Sequence, residues 1–336
     1  MTTTDPVTAA DVRLMQALAQ RVVAVRPELV NADASFGGLA WNWGRARAAE
    51  GAAWRRRLWF SGGELVAWGW AWLPRRVRRR DGTVQDVTGG YLAHQVHPGH
   101  AALVDEVIDW FDATTPGLTR TVLPSAADES GLARWAAHGY EPDLAELADD
   151  GGWTQLNHRD LGDPSDHSAH SDRGDRGDHS DRGELERPVL PPGFRFRTAA
   201  EAGPEAAVQA HVDAWPRGTY SLPGYLGVRE APGYRGDLHL LIEAPDGTMA
   251  GSAIMWLDEV NRTAEFEPVG THVAHRRRGL GRALLLQGMH SARAAGATHM
   301  TVASAGAAGD PGARELYYSV GFRELSRDAP MIKPAG

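Results

Sequence analysis

Hydrophobic positions follow the same order of strand-like and helix-like spacing in two halves of the chain. Residues 238–243 and 249–257 predict two strands in the second half, joined by a Pro-Asp-Gly turn. Residues 58–60 and 65–73 predict a matching pair in the first half, joined by a Ser-Gly-Gly turn. The pattern therefore predicts that each half folds as a unit in which strands and helices are mixed.

Further along the second half, residues 265–271 predict a strand, and residues 280–295 predict a helix with an apolar face at three- and four-residue spacing. Two short landmarks recur between the halves. The run from His272 to His275 matches the run from His97 to His100, and a Gly-Phe pair at 321 matches a Gly-Tyr pair at 139. The two separations are nearly equal, which indicates an internal duplication.

A polar segment divides the halves. Residues 160–187 contain nine carboxylates, four arginines and three histidines, with almost nothing to bury. We predict a disordered Asp/His/Arg-rich linker over residues 160–190, between a first domain at 1–159 and a second at 191–336. His167, His170 and His179 could be metal ligands, but a solvated tether is the favoured interpretation, and we expect no metal site.

Composition and charge exclude several classes of function. The chain of 336 residues has a formal net charge of -8, which argues against non-specific nucleic-acid binding. It has no cysteine, which excludes disulfides and thiol catalysis. No apolar run approaches the roughly 20 residues that span a bilayer, and no secretory signal is apparent, so we expect a cytoplasmic protein without a membrane partner. The sequence does not indicate an oligomeric state.

A glycine-arginine turn follows the strand predicted at 265–271. It contains Arg276, Arg277, Arg278, Gly279, Gly281 and Arg282. Glycine lets backbone amides approach a ligand closely, and the helix that follows adds partial positive charge at its N-terminus. The turn is thus a candidate phosphate site. A Rossmann loop would need a glycine where Leu284 stands, and a Walker loop would need a lysine that is missing here.

This turn resembles the Gln/Arg-x-x-Gly-x-Gly/Ala signature of the GCN5-related N-acetyltransferases (GNAT), whose amides hold the pyrophosphate of coenzyme A. The run Asp310-x-x-Ala313-x-x-Leu316-Tyr317-x-x-x-Gly321-Phe322 is similar to a second signature of that family, with Asp310 in place of the usual Asn. The resemblance covers about residues 190–336. It implies an α/β fold of two tandem GNAT-like domains, each a mixed, mostly antiparallel sheet flanked by helices.

The first half resembles the same fold without its chemistry. The positions that match the glycine-arginine turn are residues 101–106, which lack glycine and arginine and include Asp105 and Glu106. Carboxylates there would repel a diphosphate. Trp135 stands where the second half has Tyr317. We therefore predict a degenerate N-terminal half, in a tandem arrangement like that of the mycothiol synthases.

The resemblance also implies a mechanism of direct acetyl transfer from acetyl-CoA to an amine. Backbone amides near Val269 and Thr271 would bind the thioester and the pantetheine chain, and the six residues of the turn would hold the pyrophosphate. Tyr317 would give its proton to the departing thiolate, although it could equally be a core tyrosine. Glu265 and Glu267 share one face of the strand, and Glu267 is the candidate base. Two alternatives stay open: Glu267 could instead be a solvated or salt-bridged residue, and His272 could be the base.

The acceptor is predicted to be a primary amine of a small molecule or peptide. Its candidate contacts are Asp213, Trp215, Tyr220, Tyr225 and Tyr234, which could also be ordinary packing. Trp68, Trp70 and Trp72 form one face of a strand and indicate core or an inter-domain surface. Two alternatives to a general amine acetyltransferase are open: a mycothiol synthase-type enzyme, and a non-catalytic acyl-CoA sensor that would need neither Tyr317 nor Glu267.

Overall fold

The computed structural model of the chain describes residues 7–162, 185–307 and 312–336. Most of the predicted linker, including His167, His170 and His179, lies outside the described residues, as does Asp310. On the C-terminal side of that gap the chain is packed against the second half, because Leu185 is only 3% exposed and Glu186 pairs with Arg282.

The elements are numbered in chain order. The described helices are α1 (Ala9–Val25), α2 (Phe36–Glu50), α3 (Leu103–Thr114), α4 (Glu129–Ala137), α5 (Ala199–Ala202), α6 (Pro204–Ala214), α7 (Leu222–Arg229), α8 (Leu280–Ala294) and α9 (Gly312–Ser319). The described strands are β1 (Trp54–Ser61), β2 (Glu64–Trp72), β3 (Arg75–Arg78), β4 (Val84–Val87), β5 (Gly90–Val96), β6 (Arg120–Val122), β7 (Glu141–Pro142), β8 (Thr154–Asp160), β9 (Arg195–Thr198), β10 (His239–Glu243), β11 (Met249–Asp258), β12 (Thr263–Thr271), β13 (His299–Ala305), β14 (Arg323–Arg327) and β15 (Met331–Lys333).

Two mixed sheets organise the fold. The first has the order β1-β2-β5-β6-β15-β7 and the second β14-β8-β13-β12-β11-β10-β9. In each sheet a hairpin is followed by an antiparallel strand and then by a parallel strand, so that β10 to β13 repeat the arrangement of β1, β2, β5 and β6. The predicted fold class, two tandem domains with mostly antiparallel mixed sheets, is confirmed.

The two halves exchange one strand each. β8 follows the first half in sequence, yet it pairs antiparallel with β13 and β14 in the second sheet. β15, at the end of the second half, pairs with β6 and β7 in the first sheet. Each sheet therefore depends on a strand that belongs, by sequence, to the other half.

The tryptophan strand β2 lies inside a core shared by both halves. Trp68, Trp70 and Trp72 are 0%, 1% and 7% exposed, and they pack in one cluster with Trp256 of β11. Burial of aromatic side chains on this scale stabilises a domain interface strongly. The predicted interpretation of these tryptophans as core or inter-domain surface, rather than a ligand cage, agrees with this placement.

Helix α2 of the first half crosses α7 of the second half at very short range. A Cβ on Gly44 would lie 2.6 Å from Cα of Val228, and a Cβ on Gly227 would lie 2.2 Å from the carbonyl oxygen of Gly44. Glycine at both positions lets the two backbones touch. This crossing brings α2 over the second sheet, beside β12. Within the described residues, no helix is long and apolar enough to cross a membrane.

Candidate active site

The site forms where two parallel strands separate. β12 and β13 pair from Thr263 and His299 as far as Phe266 and Val302. Beyond that point β12 continues to Thr271 on β11, while β13 continues to Ala305 on β8. The gap between the diverging strands opens at the C-terminal end of β12.

Backbone amides of β12 face this gap. The amide of His272 donates to the carbonyl of Ala250 at 3.0 Å, and Thr271 lies opposite Gly251 in the antiparallel register with β11. Alternate residues of an antiparallel strand direct their amides to opposite sides, so the amides of Thr271 and Val269 are directed away from β11. These are the two residues at which free amides were predicted.

The glycine-arginine turn leads from β12 into α8. Gly279 occupies the N-cap in the left-handed region, with φ of +79°, and the helix starts at Leu280. Arg277 also has a positive φ of +63°, which is unusual for a residue with a side chain. The first amides of α8 have no acceptor within the helix and carry its partial positive charge. A Cβ on Gly281 would lie 3.0 Å from Leu316 of α9, so this glycine lets the turn fit closely against the neighbouring helix.

The arginines of the turn differ in their contacts and in their exposure to solvent. Arg276 donates to the carbonyl oxygens of Ala214 and Thr271, at 3.0 and 3.4 Å, and so ties the end of α6 to the turn. Arg277 and Arg278 are exposed to solvent beside Gly279. Arg282 donates to the carbonyl oxygen of Ser319 at 2.9 Å and pairs with Glu186. Arg277 and Arg278 are thus the arginines of this group with the greatest freedom to meet an anion.

A cleft of about 450 Å³ lies along the diverging strands. Glu267 and Val269 of β12, Ala303 of β13 and Tyr317 of α9 line it. The two predicted proton-transfer residues, Glu267 and Tyr317, therefore lie in one cavity with one of the predicted amide positions. The carbonyl oxygen of Glu267 accepts a hydrogen bond from the indole of Trp256 at 2.7 Å, which fixes the backbone at the floor of the cleft.

Two carboxylates on β12 have different surroundings. Glu265 is 4% exposed and accepts hydrogen bonds from the hydroxyl of Ser35, at 2.6 Å, and the amide of Gly37, at 2.8 Å. Burial raises the pKa of Glu265 to about 7, against the effect of these hydrogen bonds. Glu267 is partly exposed to the cleft, where burial and then the charge of Glu265 raise its pKa to about 8.

Tyr317 is 6% exposed and packs in the second core beside Phe322, with ring centroids 6.2 Å apart. Burial and then the nearby carboxylate of Glu267 raise the pKa of its hydroxyl well above the ordinary value of 10. Tyr317 is therefore both a core residue and a wall of the cleft. Its phenol keeps its proton at neutral pH.

The candidate acceptor contacts divide into two groups. Trp215 and Tyr220 line the cleft. Tyr225 and Tyr234 instead form a buried chain of hydrogen bonds, from one hydroxyl to the other at 2.9 Å and from Tyr234 to His239 at 3.1 Å. These hydrogen bonds link α7 to β10 through Tyr234, and neither tyrosine lines the cleft.

Asp213 and His272, two other candidates, lie together at the edge of the site. The Nε2 atom of His272 is 3.4 Å from a carboxylate oxygen of Asp213, while its Nδ1 atom accepts from the amide of Ala274. Both ring nitrogens are thus engaged locally. Neither residue is among those that line the cleft.

Sequence reasoning missed Trp41, Arg45 and His211, which also line the cleft. Trp41 and Arg45 come from α2, in the half that was predicted to lack chemistry. His211 lies on α6, and its ring is 4.4 Å from Trp215 and 4.1 Å from Tyr220. Burial lowers its pKa to about 3, so the imidazole is neutral. No motif marks α2 for this role, because its approach depends on a contact between distant parts of the chain.

In the first half, the residues that match the candidate site positions of the second half contact other side chains of their own half. Trp135 is fully buried against Tyr140 and His94. Asp105 pairs with Arg134, and Glu106 accepts from the indole of Trp59 at 3.0 Å. Within the described residues, no group of three or more His, Asp or Glu side chains could hold a metal ion.

This chain combines two similar sheets, a separation of two parallel strands and a helix start with two glycines. Residues 205–322 match the sequence model of the Acetyltransferase (GNAT) family. The match to the GNAT family therefore covers residues 205–322, and the likeness of the rest of the chain to that family is one of fold. No curated protein sequence matches it significantly.

Several solved structures share the fold over nearly the whole chain. A tandem GNAT protein from the clavulanic acid biosynthesis pathway is 19% identical with a TM-score of 0.61, covering 98% of each chain. A GCN5-related N-acetyltransferase from Sphaerobacter thermophilus is 17% identical with a TM-score of 0.52, covering 98% of this chain and 94% of that one. A GNAT-family acetyltransferase from Colwellia psychrerythraea is 11% identical with a TM-score of 0.53, covering 98% of each chain.

Proposed function

We propose that this protein is an N-acetyltransferase that moves an acetyl group from acetyl-CoA to a primary amine of a small molecule or peptide by direct transfer. The catalytic half comprises residues 191–336, and residues 1–159 form a half that does not bind acetyl-CoA itself. One observation carries the proposal. Glu267, Tyr317 and the amide position Val269 line one cleft between diverging strands, and the glycine-arginine turn follows the end of the same strand β12.

The fit of acetyl-CoA rests on the turn and the strand before it. Amides at the start of α8 and the exposed Arg277 and Arg278 suit a diphosphate, since backbone donors and cations converge there. The amides of Val269 and Thr271 suit the carbonyl of a thioester and an amide of the pantetheine chain. When bound, acetyl-CoA supplies the activated acetyl group.

Two side chains then move protons. Glu267 accepts a proton from the acceptor amine as the new C–N bond forms, and Tyr317 donates its phenolic proton to sulfur as the C–S bond breaks. A carboxyl group with a pKa of about 8 is a stronger base than an exposed one, which suits it to an ammonium acceptor. The raised pKa of Tyr317 keeps the proton on its oxygen until the thiolate develops.

The test combines binding and turnover in the full-length protein. Calorimetry should find acetyl-CoA binding. Gly281→Glu should abolish this binding, because it places a carboxylate beside the diphosphate. Gly281→Gln adds a side chain of similar size without the charge, so a comparison of the two variants separates the effect of charge from that of bulk. With an amine panel, Tyr317→Phe should lower kcat by about 100-fold, within the usual range for loss of a general acid. Its affinity for acetyl-CoA should stay unchanged.

Two results would contradict the proposal in different ways. A protein that does not bind acetyl-CoA is not an acetyltransferase of this kind. A protein that binds acetyl-CoA yet acetylates no amine in the panel is better described as an acyl-CoA sensor, and Tyr317→Phe would then change nothing that can be measured in turnover.

A further inference from the structure

Arg45 is a cation of the cleft with no acidic partner among the described residues. It lines the cleft from α2, is only partly exposed, and forms no ion pair among the residues that the structure describes. Its recorded contacts are hydrogen bonds from Nε and Nη2 to the side-chain oxygen of Asn42, at 3.2 and 2.8 Å. A partly buried guanidinium without an anion is costly unless a ligand supplies one.

The first half holds this guanidinium in place. Asn42 accepts from Arg45 through its oxygen and donates through its amide nitrogen to Asp33, at 3.1 Å. Asp33 in turn accepts from the hydroxyl of Tyr91 on β5. A chain of hydrogen bonds from the first sheet therefore orients Arg45, and Nη1 takes no part in it. Such support from surrounding residues is what a preorganised binding group requires.

The acidic groups near Arg45 are already occupied or uncharged. Asp33 is engaged by Asn42 and Tyr91, and Glu50 is paired with Arg75. Glu267, across the cleft, has a pKa of about 8 and is mostly protonated at neutral pH. Among the described residues, Arg45 therefore makes no ion pair, although its positive charge lowers the pKa of Glu267 against the larger effect of burial.

Aromatic side chains form one wall of the cleft. The ring of Trp41 lies 5.2 Å from Tyr220 and 5.4 Å from His211, and the guanidinium of Arg45 lies 6.0 Å from the Trp41 centroid. His211 is neutral, so this wall carries no charge of its own. It suits the apolar body of a small molecule.

We propose that the acceptor is an amino-carboxylate, either an amino acid or a short peptide, whose carboxylate is bound by Arg45 while its amine reaches Glu267. This inference rests on the proposed acetyltransferase function and specifies its substrate class. Arginine binds carboxylates with two parallel hydrogen bonds, which gives orientation as well as affinity. The half without catalytic residues thereby determines which amine is acetylated.

The experiment compares matched acceptors and matched variants in the full-length protein. Each amino acid of a panel is assayed beside its carboxamide, which keeps the amine and the side chain but loses the negative charge. The acids should have a KM lower by about 10- to 100-fold, the usual effect of a hydrogen-bonded charge pair. Arg45→Met should remove this preference, and the KM for acetyl-CoA should stay unchanged.

Arg13→Met is the matched control. Arg13 is exposed on α1, so this substitution removes the same charge at a position outside the cleft. If Arg45→Met fails to fold, Arg45→Lys keeps the charge without the planar pair of donors and should reduce the preference in part. Equal KM values for acids and amides, or an equal loss for both in Arg45→Met, would overturn the inference. Failure to acetylate any amine would instead overturn the proposed function.

Discussion

Glu265 and Glu267 lie two residues apart on β12, and their different surroundings suit them to different proposed roles. Glu265 is enclosed by the start of α2, where a hydroxyl and a backbone amide bind its oxygens. Glu267 lines the cleft and has an environment with fewer donors, so its charge is harder to stabilise. The second position is therefore the better proton acceptor for a ligand, while the first raises the pKa of its neighbour.

The pH dependence of kcat/KM tests this assignment. A base must be deprotonated, and the pKa of Glu267 in the free protein is about 8. We expect kcat/KM to be low at pH 6 and to rise with pH through about 8, once acceptor ionisation is accounted for with an amine of known pKa. Glu267→Gln should lower kcat by about 100-fold and remove this rising limb without weakening acetyl-CoA binding.

Glu265→Gln provides the contrast. Removing its charge takes away one cause of the raised pKa of Glu267, so the rising limb should move to lower pH while turnover persists. A profile that keeps its limb in Glu267→Gln, or loses it in Glu265→Gln, would assign the base to another residue.

At this scale, the motifs predicted the residues that local chain geometry controls. Val269, Thr271, Gly279 and Gly281 lie on one strand and at the start of the helix that follows it, so the family resemblance could propose them from motifs along the chain, and their roles stay predictions. Arg45 could not be predicted, because a single arginine in a helix becomes a cleft residue only through long-range packing. Tyr225 and Tyr234 shared the composition of an acceptor site, but composition does not distinguish a cleft from a core.

At the scale of elements, the crossing of α2 and α7 positions Trp41 and Arg45 at the cleft. Gly44 lies one residue before Arg45, and its backbone contacts Val228 of α7. The helix boundaries of α2 follow from local signals, since Ser35 caps its first turn. The packing of α2 against α7 does not follow from such signals, because the presence of Gly44 and Gly227 in the sequence does not indicate that these two backbones meet.

Gly44→Ala should force the two helices apart. Its Cβ would lie 2.6 Å from a backbone atom, which cannot move as a flexible side chain can. We expect a loss of about 1–3 kcal/mol in the free energy of unfolding, typical of overpacking. The KM for the acceptor should rise, because Trp41 and Arg45 move with the helix, while acetyl-CoA affinity stays the same.

Gly51→Ala is the matched substitution at the end of α2. Gly51 has right-handed backbone angles, and the nearest atom to an added Cβ is 3.8 Å away, on Trp54. This change should leave acceptor kinetics unaltered and stability equal or slightly higher. Urea unfolding and steady-state kinetics on both variants measure the two effects. Equal behaviour of the two variants would show that the close crossing does not position the cleft.

At the scale of the whole molecule, the exchange of β8 and β15 joins the halves into one folding unit. The repeated order of strands and helices predicted two domains, and composition predicted where the chain passes between them. Neither pattern indicates which sheet a terminal strand joins, since β8 and β15 are short and carry no motif that identifies a partner strand. Strand exchange is decided by pairing between residues far apart in sequence, such as Met331 with Val122.

The exchange predicts how the protein unfolds. Calorimetry should show one transition, with equal calorimetric and van't Hoff enthalpies, because neither sheet is complete without the other half.

Deleting residues 331–336 removes β15, including the buried Met331 and the pair between Lys333 and Asp112. The free energy of unfolding should fall by about 2 kcal/mol or more, as for loss of a buried methionine side chain. The single transition should move as a whole to lower temperature. Deleting only the exposed residues 334–336 keeps the strand and should leave the transition in place. Two separate transitions, of which the longer deletion shifts one, would mean that the halves unfold independently despite their shared strands.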